Sequence, residues 1–128
     1  MGFFLKSVQL GSARQRGEGL RLGTVRFLPR GVMKKSYARL NYFDIWLPTL
    51  APSKELIRKA RSSRMSTKTF FRRYRTEMKR TEQLQLIQLL ARLATKTPVS
   101  IGCYCPDERV CHRSVLYQLI RGARPGFR

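Results

Sequence analysis

Pro98 to Gly122 reads PVSIGCYCPDERVCHRSVLYQLIRG, and this stretch alone supplies a strand, a loop and a helix. Val99, Ile101 and Cys103 alternate with Ser100, Gly102 and Tyr104, the period-two pattern of a strand, and a proline stands on either side. From Cys111 onward the spacing changes. Val115, Leu116, Leu119 and Ile120 fall on one helical face, with Gly122 as the stop. A buried strand joined by PDERV to an amphipathic helix is the building unit of an α/β sheet, and ligands commonly bind at the carboxyl ends of such strands.

The same stretch holds all three cysteines and the single histidine of the 128-residue chain. Cys111, His112 and Arg113 fall in the first helical turn, where unpaired N–H groups and the positive dipole end attract anions and lower a thiol pKa. Three readings follow. As a nucleophile, Cys103, Cys105 or Cys111 would be activated there, with His112 as acid or base and Arg109 or Arg113 holding an oxyanion. As a metal site, Cys103, Cys105, Cys111 and His112 offer four soft ligands suited to zinc, although adjacent side chains at 111 and 112 diverge on a helix and strain a closed site. As a structural segment, Cys103, with or without Cys105, is a small buried apolar residue and His112 is a cap or surface residue. Cys103 to Arg109 spells C-x5-R, the spacing of cysteine-dependent phosphatases, but Pro106, Asp107 and Glu108 replace the glycines that let backbone amides converge on phosphate.

Working outward, EQLQLIQLLARLAT is a helix capped by Thr81, with Leu86, Leu89, Leu90 and Leu93 as its inner stripe. Before it, Phe70, Tyr74 and Met78 recur every four residues while Arg72, Arg73, Lys79 and Arg80 point elsewhere, which predicts an amphipathic helix with a basic outer face. Ser53 caps a further helix that carries Glu55 in its first turn and runs towards Arg61. YFDIWLPTLAPS packs as an ordered turn over the core. FFLKSVQL, residues 3–10, is a first strand, GSARQRGEGLRLG a basic loop, and GTVRFLPRG a second strand ending at Pro29. Arg30, just past that strand, is well placed to hold an anion through a forked pair. The predicted fold is therefore a small single α/β domain over 1–122, with a short, mainly parallel sheet of three or four strands flanked by about four helices. Residues 123–128 form a basic tail.

Composition bounds the partners. Lys and Arg number 27 against 7 Asp and Glu, a formal charge of +20, so the chain attracts polyanions without reading a sequence. That charge serves either a solvated basic surface or a nucleic-acid-binding module in which Arg72, Arg73 and Arg80 contribute. No apolar run is long enough to span a membrane, and MGFFLKSVQLGS lacks the features of a signal peptide, so the expected location is cytoplasmic. An odd cysteine count suits reduced thiols in that compartment.

RLGTVRFLPRGV, DIWLPTLAPSKEL, FFRRYRTEM and CYCPDERVCHRS, in that order, resemble the DUF488 (YeaO-like) family over Arg21 to Leu119. The resemblance implies a small α/β domain with a short parallel sheet and no established reaction. Its family-like positions are Arg26, Pro29, Arg30, Gly31, Trp46, Pro52, Tyr74 and Glu77, then Cys105, Cys111, His112 and Arg113. The chain departs from the YeaO branch, which has Asp and Trp where Val25 and Leu28 stand and often lacks the Cys–His pair. The expected site is a crevice for an anionic ligand, phosphate-bearing or nucleotide-like. Arg26, Arg30, Tyr74 and Arg113 are its binding residues, and Cys105, Cys111 and His112 its catalytic ones. No cofactor and no oligomeric state follow from the sequence.

Overall fold

Val99–Cys103 forms the strand that the alternation predicts, and in the computed structural model, which describes residues 2–126, it lies inside the sheet. Strands β1 (Leu5–Gln9), β2 (Leu20–Gly23), β3 (Ile45–Trp46) and β4 (Val99–Cys103) are ordered β1-β4-β2-β3, every neighbouring pair parallel. Helices α1 (Lys54–Ser62), α2 (Thr67–Glu77), α3 (Thr81–Leu93) and α4 (His112–Gly122) complete a small single α/β domain. No helix among the described residues is long and apolar enough to cross a membrane.

The two faces of the sheet are covered differently. One carries the main apolar cluster, to which all four helices contribute, among them Leu56, Tyr74, Leu90 and Leu116 packed with Leu22, Val99 and Ile101. The other cluster is built from the loop residues Leu10, Val25 and Phe43. Gly102 makes room for it, because a Cβ there would overlap the Leu10 side chain, with Cγ only 2.9 Å away. Burial on both sides explains why β4 reads as a nearly unbroken buried run, Val99, Ser100, Ile101 and Gly102.

The second strand begins and ends earlier than its sequence predicts. β2 is Leu20–Gly23, inside the stretch read as a basic loop, while 24–31 leaves the sheet. Its last ladder bond runs from the Thr24 N–H to the Gly102 carbonyl at 3.0 Å, and the Thr24 hydroxyl donates to the same carbonyl at 2.8 Å. LRLG escaped notice because Arg21 points inward. Its side chain is fully buried, and it donates from Nε and Nη2 to the Glu18 carboxylate at 2.7 and 2.9 Å and from Nη1 to the carbonyls of Ser12 and Asn41. Gly19, at φ +68°, lets the chain pass against the Pro98 carbonyl, where a Cβ could not fit. The short β3 is likewise part of the segment read as an ordered turn, and a 3-10 turn, Pro48–Leu50, follows it.

The helices follow the predicted caps with two corrections. Ser53 caps α1 by accepting from Leu56 N–H, and Glu55 lies in the first turn, as predicted. α3, however, starts one residue early: Arg80 is the extended N-cap residue and Thr81 is already helical. Its inward face is Ile87, Leu90 and Ala91, whereas Leu89 and Leu93 are 59% and 37% exposed, because the small alanines allow the closer approach to the core. Of the basic tail, 127 and 128 lie outside the described residues, and Arg124 rests over the Phe3 ring, 5.4 Å from its centroid.

Since removing one partner of a buried ion pair leaves an uncompensated charge, Glu18→Ala should lower unfolding stability by about 3–5 kcal/mol. Urea denaturation monitored by circular dichroism checks this, and an unchanged midpoint would contradict the structural role given to Arg21.

Candidate active site

β4 delivers Cys103 to the carboxyl edge of the sheet, and the Cys105–Val110 segment then turns the chain back into α4. Cys111 is the residue before the helix, with extended backbone angles of −104° and 142°, while His112 opens the helix itself. Because Cys111 is not helical, its side chain does not diverge from that of His112. The Sγ atoms of Cys103 and Cys111 and a ring nitrogen of His112 all lie within 4.8 Å of one another. The strain expected of a site using residues 111 and 112 together is therefore absent. Cys105 stands apart from this trio, its Sγ directed at the Asp107 carbonyl 3.4 Å away.

His112 is held from two sides. A ring nitrogen, Nε2, lies 2.7 Å from the Thr24 carbonyl, and since a carbonyl only accepts, Nε2 carries the hydrogen. Nδ1 then faces the thiols, 3.8 Å from Cys111 Sγ. The Tyr74 ring packs edge-on against the imidazole with centroids 5.2 Å apart. Tyr74 itself has no exposed surface and donates its hydroxyl to the Leu50 carbonyl at 2.6 Å, so it positions His112 and does not reach a ligand.

The thiols divide their protons unequally. A hydrogen bond from Cys111 is the strongest influence on Cys103. Burial opposes it, and the hydrogen bond and charge of His112 assist, so that the Cys103 thiol is held down at about 4. Cys111 moves the other way, because it donates to Cys103 and is itself buried. The pair thus favours a Cys103 thiolate that accepts from the Cys111 S–H, with the His112 ring beside it. Tyr104, raised to about 12 by burial first and by the Cys103 charge second, remains a neutral phenol that donates to the Phe27 carbonyl at 2.8 Å.

Cys103 and His112 form part of the wall of a cleft of about 860 Å³ that also touches Arg26, Arg30, Arg61 and Phe70. Arg30 is exposed at this cleft, as the sequence suggests for an anion-binding arginine. Arg26 lines it too but is anchored, its guanidinium donating to the Ala51 and Pro52 carbonyls. Arg113 is not among the lining residues. It is buried and clamps the loop, donating to Ser7 Oγ at 3.0 Å and to the Cys105 carbonyl at 2.5 Å. Arg109 is tied to Asp107, away from the thiols. Trp46 and Glu77, two other family-like positions, build the surroundings: Trp46 Nε1 donates to the Val25 carbonyl at 2.7 Å, and Glu77 receives the N–H and hydroxyl of Ser53.

Sequence reasoning offers Cys103 as a nucleophile, a metal ligand or a structural residue but leaves it out of the catalytic set, and it does not single out Arg61. The signal for Cys103 was available, since it ends the inward alternation of β4 at the carboxyl edge where ligands bind. Cys103, Cys111 and His112 could also ligate a soft metal, two thiolates and an imidazole leaving one position open, whereas the four-ligand set that includes Cys105 is not assembled. Tyr74→Phe should lower stability by about 1–3 kcal/mol by orphaning the buried Leu50 carbonyl, with neutral-pH alkylation of Cys103 unchanged. Thermal denaturation and thiol mass spectrometry on one variant test both halves, and full stability together with altered thiol reactivity would reverse the assignment.

No curated protein and no solved structure matches the chain. A family model does, and it covers nearly everything described above: the model for the active DUF488-N3 subclade matches residues 5–124. With the short parallel sheet and the strand–loop–helix bearing Cys103, Cys111 and His112 in view, the chain belongs to the DUF488 family.

Proposed function

We propose that this protein is a cysteine-dependent enzyme that binds an anionic substrate, phosphate-bearing or nucleotide-like, in the cleft beside Cys103. The observation that carries the reading is the convergence of Cys103, Cys111 and His112, two of which, Cys103 and His112, line an arginine-bearing cleft. A structural cysteine needs neither an ionised state nor access, and two features of Cys103 support a reactive role: it is half-buried at the cleft, and its surroundings favour the charged form. The designation of the matched subclade as active supports an enzyme rather than a scaffold.

The roles follow from the geometry. The Cys103 sulfur attacks an electrophilic centre of the substrate, forming a covalent thio-adduct as the bond to the leaving group breaks. Nδ1–H of His112 gives its proton to that leaving group and afterwards takes one from the water that releases the product. Cys111 steadies the thiolate before attack. Arg30, with the anchored Arg26 nearby, holds the substrate's anionic group.

One second reading has a specific observation behind it. The ligating atoms of Cys103, Cys111 and His112 lie close enough together that they would hold a zinc ion, which would supply Lewis-acid chemistry there. Elemental analysis of the purified protein separates the two: stoichiometric zinc, with Cys103 alkylated only after chelation, favours the metal.

Turnover of a panel of nucleotides and sugar phosphates, with intact-mass detection of the covalent adduct, tests the enzyme reading. Cys103→Ser should abolish both turnover and adduct, His112→Gln should lower kcat about 10²- to 10⁴-fold, and Cys105→Ser should leave both in place. Full turnover by Cys103→Ser would overturn the proposal.

A further inference from the structure

Residues 54–80, the segment of α1 and α2, carry eleven Lys and Arg against two Glu. All eleven basic side chains are exposed. Both acids are already engaged, Glu55 with Lys59 at 3.1 Å and Glu77 with Ser53. Lys59 is the one of the eleven that forms an ion pair among the described residues. Basic side chains left outside ion pairs on the exposed face of such a helical pair suit an external polyanion.

This basic segment is also continuous with the cleft. Ile57 and Arg61 of α1 and Phe70 of α2 form part of its wall together with Phe27 and Arg30. Phe27 is 49% exposed there, so an aromatic face looks into the cleft instead of into the core. Aromatic faces between arginines are what an unstacked base and its phosphates require, and a volume of about 860 Å³ is ample for one nucleotide. A duplex keeps its bases stacked and could not present one to Cys103 without extruding it.

We infer that the substrate of the cysteine site is a nucleotide within a single-stranded polynucleotide, the strand running along the basic face of α1 and α2 while one unit enters the cleft between Phe27 and Phe70. This rests on the reading of Cys103 and His112 as a reactive pair and names the class of molecule that reaches them. Arg30 and Arg61 hold the phosphates flanking the inserted unit, and Arg72 and Arg73, on exposed positions of α2, hold the strand beyond it.

The test uses the full chain freed of nucleic acid, a fluorescent oligothymidylate and anisotropy measured across a salt series. Binding should persist at physiological salt, and Arg72→Ala/Arg73→Ala should reduce the slope of log affinity against log salt by about 1.4, that is about 0.7 for each phosphate no longer neutralised. The oligonucleotide should also protect Cys103 from iodoacetamide, with thymidine monophosphate at equal nucleotide concentration protecting far less. Binding that vanishes at physiological salt overturns the inference, as does binding that leaves Cys103 unprotected or capture by phosphatidylserine vesicles where the oligonucleotide is not held. Those outcomes leave the enzyme reading standing if Cys103 still alkylates fast without ligand, whereas a slow Cys103 in the ligand-free protein overturns both.

Discussion

Arg21 enters the protein from β2 with no exposed surface, and the arrangement of everything around the carboxyl edge of the sheet follows from satisfying it. An unpaired buried guanidinium would cost several kcal/mol, so the 10–19 loop must return to present Glu18 and Ser12 and the 37–44 segment must present Asn41. The N–H of Arg21 also reaches Asp44, which in turn holds Arg14 through both oxygens. Two long irregular segments are thereby fastened to one residue of an inner strand. With β2 held in this way, the Thr24 carbonyl is in place to receive Nε2–H of His112.

From that bond the chemistry of the site unfolds in order. Fixing Nε2 as a donor leaves Nδ1 for the thiols, and the extended backbone of Cys111 turns its sulfur towards Cys103 and not outward along the helix. The two cysteines then act as donor and acceptor, so their acidities separate in opposite directions. A formal +20 on the chain works in the same sense, since it favours any anion near the surface, the thiolate and an incoming phosphate alike. The arginines fall into distinct roles. Arg21 and Arg113 are buried and structural, Arg26 is tethered to two carbonyls, and Arg30 and Arg61 remain exposed at the cleft.

How far this was legible in the sequence depended on whether a residue's partner lay nearby in the chain. β4, its loop and α4 could be read because alternation and helical spacing are local, and Ser53 could be read as a cap because its acceptor role spans three residues. β2 was hidden because a buried arginine looks like a surface one until its distant acceptors are known. On α3 the leucine spacing points Leu86 and Leu90 to the core as the structure has them, but it misses Ile87 and Ala91 because leucine outweighs alanine in any periodicity count. At the site, proximity in sequence misled in the other direction: Cys105 stands nearer to His112 along the chain, yet Cys103, at the strand end, meets it in space. Tyr74 belonged to the same neighbourhood as predicted but faces the core, where its ring steadies His112.

The proposed chemistry depends on a Cys103 thiolate whose charge Cys111 and His112 stabilise. The alkylation rate of Cys103, resolved from Cys105 and Cys111 by peptide mass spectrometry and followed against pH, tests it most directly. Protonation removes the reactive form, so the rate should stay high through neutral and mildly acidic pH and fall to half near about 4. A rate that instead rises with a midpoint of about 8.5, the value of an ordinary cysteine, would contradict a stabilised Cys103 thiolate.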